Sequence, residues 1–486
     1  MKNHDKPRAA RRLWPKMLLV CIVPLAGCQS YQPAPLDLEQ YSTEASSRLN
    51  DQETLREFSQ RLTGAKTVED GSFDLDDGID AAEAEVIALF YNRDLRLARL
   101  RAGVALANKE NAGLWEDPVF GFDGAELLSP AGPFEYGLTM SLTIPVSGRL
   151  GVEEDRADAA YHAELRRVVD AEWSMRARVR EGWATWSVAG ERLKLIDEVL
   201  QAIDRITAVA DRLEKAGELT RVEARLLRAQ RLAIQVQRIS AAVEAEQARL
   251  DLLGLMGLLP NTQITLVPYL PKIEVPKASD PAERLILANT SLAALRADYQ
   301  VAEESLRLEV RKQYPDIEIG AGLGSEDNDD RLLLGASLPL PILNANRGGI
   351  AEARANRELA RAAAESEFER LAFQLAAASA RLKASEQQRQ VLEQSLVPML
   401  DEQAAEIDRL AELGEVDTLI LLETVTRRFE AKNQILVLQL EMLRTRVELS
   451  KLLGPDQEPT PAPASEIRTK QNTTTGSESA ADGVSK

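Results

Sequence analysis

The sequence predicts a mostly α-helical protein with a small β part, built as a tandem duplication of long helical hairpins that each carry one β-hairpin. Three observations support this. Landmarks recur at a constant offset, two stretches alternate strictly between apolar and small or polar residues, and most of the remainder is helix-periodic.

The offset is 196–197 residues. Asn92-Arg93-Asp94-Leu95 corresponds to Asn289-Thr290-Ser291-Leu292, and Pro118 to Pro315. Ser141-Leu142-Thr143-Ile144-Pro145 corresponds to Ser337-Leu338-Pro339-Leu340-Pro341. Further along, Asp211-Arg212-Leu213 and Gly217-Glu218 match Asp408-Arg409-Leu410 and Gly414-Glu415, and Gly257 matches Gly454. Two structural units follow, residues 81–260 and 276–455.

Within the first unit, residues 81–114 are helix-periodic, and the pattern then changes to alternation. Phe134, Tyr136, Leu138, Met140, Leu142 and Ile144 oppose Glu135, Gly137, Thr139, Ser141 and Thr143. In the second unit Ile317, Ile319, Ala321 and Leu323 oppose Asp316, Glu318, Gly320, Gly322 and Gly324, followed by Leu332, Leu334, Ala336, Leu338 and Leu340. Turn-rich segments at 129–133 and 326–330 split each region into a hairpin of strands near ten residues, the length of a membrane-spanning strand.

Long helical stretches follow at 149–213 and 348–410, with turns at Gly217 and Gly414 and return helices to Gly257 and Gly454. Some 60 residues of helix reach roughly 90 Å. Ile196, Val199, Ile203, Ile206, Ala210 and Leu213 form a coiled-coil seam, and Leu436, Leu440, Leu443 and Val447 a shorter one. Pro398, inside the second long helix, is expected to kink or interrupt it.

The ends have other roles. Residues 1–27 read as a signal peptide: a basic segment to Lys16, an apolar stretch from Met17 to Leu25, then small residues before Cys28. Leu25-Ala26-Gly27-Cys28 resembles the bacterial lipoprotein cleavage box, which implies lipid attachment at Cys28, with several acyl chains for a stable anchor. Residues 28–80 read as a linker, and 456–486, rich in Pro, Ser and Thr, as a disordered tail.

Composition excludes several classes. The net charge of −18 falls to near −23 without the signal, which carries six basic residues and one acid, so nucleic acid is not an expected partner. Two His and two Cys offer no soft-metal site, and no cofactor is implied. No nucleophile, base and orienter constellation is visible, so the chain does not read as an enzyme.

Four strands with one apolar face cannot close a barrel, and open edges are not tolerated in lipid, so copies must pool their strands. The Gly, Ser and Thr face would then turn inward and the helices would continue the wall as a cylinder.

Tyr314-Pro315-Asp316-Ile317, Leu338-Pro339-Leu340-Pro341-Ile342 and Asn344 through Ala353, with Asp117-Pro118 and the Gly217 and Gly414 turns, resemble the TolC-like outer-membrane efflux family, closest to its heavy-metal-efflux (CzcC-like) branch. The resemblance implies a homotrimer with a 12-stranded transmembrane β-barrel continued by a periplasmic α-helical barrel. It implies a periplasmic adaptor (membrane fusion) protein and an inner-membrane resistance-nodulation-division pump as partners, outer-membrane lipid around the barrel, and a cargo of metal cations or small toxic solutes. It places Glu423 at a candidate periplasmic aperture, although Ile420 stands where an acid is expected one turn earlier; an ordinary solvated or inter-helix Glu is the competing reading. The same resemblance makes Arg212, Gly217, Glu218, Arg409, Gly414 and Glu415 candidate adaptor contacts. Trp173, Trp183 and Trp186 read as helix-packing residues. A protein or peptide exporter channel, or a coiled-coil envelope lipoprotein without a pore, are the alternatives.

Substituting Cys28→Ala is expected to abolish labelling of the chain by a radioactive or clickable fatty acid in growing cells; unchanged labelling would refute the anchor.

Overall fold

The computed structural model describes residues 31–63, 73–75, 77–126, 134–277, 279–326, 329–412 and 418–456. The chain divides into two compact units, residues 1–48 and 49–486. In the first, α1 (Leu38–Ser46) is capped by Asp37, whose carboxylate accepts from the Glu39 and Gln40 N–H groups at 3.0 and 2.9 Å. Cys28 lies outside the described residues.

The second unit begins with α2 (Gln52–Thr63) and then runs through the duplicated plan. The first copy comprises α3 (Ala81–Tyr91), α4 (Arg93–Glu110), β1 (Val119–Ala125), β2 (Glu135–Ile144), α5 (Arg149–Ala216) and α6 (Arg221–Met256). The second comprises α7 (Pro281–Ala288), α8 (Thr290–Arg311), β3 (Ile317–Glu326), β4 (Asp329–Ser337), α9 (Arg347–Val391), α10 (Val397–Glu412) and α11 (Thr418–Leu453). α5 alone has 68 residues, about 100 Å of helix.

The helix-periodic stretch from 81 forms two helices, because Asn92 leaves the helical conformation and caps the next one. Its side-chain oxygen accepts from the Asp94 and Leu95 N–H groups, while its amide donates to the Leu255 carbonyl at 2.8 Å. Asn289 does the same in the second copy, accepting from the Leu292 N–H and donating to the Leu452 carbonyl at 2.9 Å. Beside each Asn a glycine ends or follows the return helix. Gly257 and Gly454 have φ of 73° and 71°, and a β-carbon there would overlap the carbonyl oxygens of Tyr91 and Ala288.

Around the first of these locks lies the main core. Leu55, Ile87, Leu95, Met175, Trp183, Leu252 and Met256 are buried together, and Trp186 meets Trp183 edge-on at 5.3 Å between centroids. Both tryptophans therefore serve packing. The expected seam is a buried row: Ile196, Val199 and Ile203 pack on Ile234 and Ala241 of α6 and on Leu422, Val425 and Phe429 of α11. Ile206 and Ala210 continue it with Leu227.

The two long helices differ. α5 is unbroken, whereas Leu392–Leu396 between α9 and α10 form a π-turn in which the Val397 N–H reaches the Leu392 carbonyl. Pro398 explains this interruption. It offers no N–H to the Gln394 carbonyl, and its ring crowds that carbonyl, so the helix widens just before it.

Gly454→Ala is expected to lower stability by about 2–4 kcal/mol, from a positive φ and the overlap with Ala288. Gly254→Ala, in open space inside α6, should be neutral or stabilising by about 0.5–1 kcal/mol. Denaturant midpoints of the two variants in detergent check the contrast; equal midpoints would remove the Gly454 lock.

Candidate functional site

The four strands form one antiparallel sheet in the order β1-β2-β3-β4. Its register sorts the side chains cleanly. Phe120 pairs with Met140, Met140 with Ala321, and Ala321 with Leu334; Phe122, Leu138, Leu323 and Leu332 form the next row. This face is bare in the single chain, with Phe120 70% and Leu334 76% exposed. The opposite face carries Gly121, Thr139, Gly322 and Leu333 in one row, and Asp123, Gly137, Gly324 and Arg331 in the next. A β-carbon on Gly322 or Gly324 would lie 2.6 or 2.8 Å from the Leu138 and Tyr136 carbonyl oxygens, so the sheet is tightly coiled about its glycine face. β1 and β4 are free edges.

Where strands turn into helices, Arg149 draws the two hairpins together. Its guanidinium donates to Glu116 at 2.9 Å, Glu153 at 3.0 Å and Asp316 at 2.9 Å, linking the approach to β1, the start of α5 and the approach to β3. Burial works against its charge, but Asp316 and Glu153 hold its pKa above the ordinary value.

The helices form layers that repeat the order of the sheet. Nearer the sheet α4 packs on α5, α5 on α8 and α8 on α9; further away α6 packs on α5, α5 on α11 and α11 on α9 and α10. In every layer a first-copy element lies at one edge and a second-copy element at the other. Both edges leave apolar side chains exposed. Val236, Ile239 and Val243 line α6, Leu97, Leu100 and Val104 line α4, and Leu359 and Phe373 line α9.

At the far end the first hairpin turns through Gly217, whose φ is 80°. The Glu218 N–H donates to the Leu213 carbonyl at 2.9 Å, and Thr220 with Glu223 forms a capping box for α6. Arg212, Glu218 and Arg409 are exposed near the hairpin ends. Gly414 and Glu415 lie outside the described residues. Glu423, in the second turn of α11, is exposed and accepts from Arg427 Nε at 2.5 Å, so within one chain its charge is compensated from its own helix. Ile420, one turn nearer the tip, is half exposed.

An ion-pair ladder not evident from the sequence runs along the first hairpin. Asp197, Asp204 and Asp211, seven residues apart on α5, meet Arg238, Arg231 and Arg228 of α6, and Arg192 meets Glu244 at 2.9 Å. Each exposed rung is worth at most about 1 kcal/mol, but together they fix the register of two antiparallel helices. The heptad spacing of the three acids was the available signal. Among the described residues no group of three or more His, Cys, Asp and Glu is placed to hold a metal, and no helix is long and apolar enough to cross a membrane.

Duplicated helical hairpins on a four-stranded sheet with one bare apolar face are the fold of TolC-like outer-membrane channels. Residues 282–455 match the family described as outer membrane efflux protein. Over 182 residues the chain is 26% identical to the cobalt-zinc-cadmium resistance protein CzcC of Cupriavidus metallidurans, an alignment covering 36% of this chain and 44% of that protein. The solved Campylobacter jejuni CmeC outer membrane channel has the same fold, with TM-score 0.68, 16% identity, and coverage of 81% of this chain and 89% of CmeC. The CusC structure matches with TM-score 0.65 at 17% identity, covering 78% of this chain and 93% of CusC.

Gly217→Ala should strain the left-handed cap by about 1 kcal/mol and fray the first tip. Faster hydrogen–deuterium exchange confined to peptides spanning 210–224 checks this; unchanged exchange there would show the cap to be dispensable.

Proposed function

We propose that the chain is the outer-membrane exit channel of a tripartite efflux pump, working as a homotrimer. The observation that carries this is the shared order of the sheet and both helix layers. Each is an open layer with a first-copy edge and a second-copy edge, so copies related by rotation close all three at once. Three copies would give a 12-stranded barrel, apolar outside and glycine-rich inside, continued by a helical tunnel in the periplasm. A coiled-coil lipoprotein without a pore has no use for a bare apolar sheet.

The finer assignments belong to the same proposal. Residues 1–27 are the signal, Cys28 carries lipid, residues 28–80 link the anchor to the repeats, and residues 456–486 form a tail. The tips at Arg212, Gly217, Glu218, Arg409, Gly414 and Glu415 meet a periplasmic adaptor, which joins the channel to a resistance-nodulation-division pump. Metal cations are the favoured cargo, on the strength of the CzcC likeness. The channel itself performs no chemistry.

Reconstitution in planar bilayers tests the pore. Purified trimers should conduct, and more readily once the second tip is loosened by substituting Glu423 and its neighbours; trimers that never conduct in either form would overturn the reading. Arg427→Ala removes the partner of Glu423. If Glu423 faces the lumen, three uncompensated carboxylates should raise the cation-to-anion permeability ratio about threefold or more, read from reversal potentials in a KCl gradient. An unchanged ratio would place Glu423 outside the conducting path.

A further inference from the structure

The first copy holds a buried charge cluster that its sister copy lacks. Glu85 of α3 is 7% exposed and takes two hydrogen bonds from Arg180 of α5, at 2.5 and 3.1 Å. Arg99 of α4, 9% exposed, donates to Glu172 of α5 at 3.2 and 2.6 Å. Arg176 stands between them, one turn from Glu172 and one turn from Arg180 on the same face of α5.

Among the described residues Arg176 makes no hydrogen bond and no ion pair, although Glu85, Glu172 and Arg180 all act on it through space. Burial pulls its pKa below the ordinary value against the attraction of Glu85. It is half-buried, so solvent reaches it. Three guanidinium groups face two carboxylates, both already engaged by Arg99 and Arg180. One positive charge with a planar fork of donors is left over.

The duplication makes this surplus informative. At the offsets of 196–197, Arg99 corresponds to Arg296, but Glu85 falls on Ala282, Arg176 on Ala372 or Phe373, and Arg180 on Ala376 or Ala377. The second copy builds the same helix junction without those three charges, so packing does not require them. A partly buried charge cluster that the fold can do without is a candidate site.

We propose that Arg176 heads a binding site for a small free oxyanion of the phosphate type, at the junction where α3, α4 and α5 pack together. A guanidinium fork matches two oxygens of such an ion, and the ion supplies the one negative charge the cluster lacks.

The test uses the full-length protein in detergent, with equilibrium dialysis against radiolabelled inorganic phosphate at fixed ionic strength. The expected result is one saturable site per chain, weakened about tenfold or more in Arg176→Gln, as loss of a charge-assisted bond implies, and less in Arg176→Lys. Phenylglyoxal labelling of the unmutated protein, read by mass spectrometry, is independent of how the variants fold: phosphate should protect Arg176 selectively. Non-saturable uptake, equal binding by wild type and Arg176→Gln, or labelling of Arg176 indifferent to phosphate would overturn the proposal. So would phosphate-free trimers that dissociate on Arg176→Gln, since the occupant would then be a carboxylate of a second copy.

Discussion

Everything above the hairpin tips is positioned by one contact made twice. A side-chain amide reaches across 163 residues to a carbonyl near the end of the return helix, and a glycine beside it lets two backbones touch. Helices this long gain little certainty of position from their seams, because heptad packing tolerates sliding by whole repeats. The Asn92 and Asn289 contacts remove that freedom. They join the starts of α4 and α8 to the ends of the return helices, so each copy closes into a loop of fixed length.

Much of this was legible because it is periodic or punctuated. Alternation from Phe134 to Ile144 specified the sheet faces, and the structure sets Leu138 and Met140 in apolar rows that cross all four strands. The seam from Ile196 to Ala210 was visible for the same reason. The glycines at 217, 257 and 454 were visible as punctuation, although only the packed fold shows that Gly257 and Gly454 admit a carbonyl rather than merely stop a helix.

What was not legible depends on partners distant in sequence. Nothing local indicates that Arg149, besides its helix neighbour Glu153, will collect acids from 116 and 316. The split at Asn92 was hidden inside a continuous helical pattern; Asn there was a repeat landmark, and its conformation followed from the contact with Leu255. The π-turn also lay one step beyond the sequence. Pro398 announced an interruption, but whether it would be a kink, a gap or a widened turn depends on how the neighbouring helix supports the freed carbonyl.

The two return helices, α6 and α11, each contain 36 residues. They act as a matched pair of rulers, each about 54 Å, hung from equivalent locks at one end and bearing a tip at the other. Six such rulers of equal length would give a trimer a level rim on which a ring-shaped partner can seat evenly. In the proposed trimer, changing the reach of the helices while keeping the rim level would require matched changes in both copies. An insertion in one alone would leave three long tips and three short ones, and a seal that cannot close.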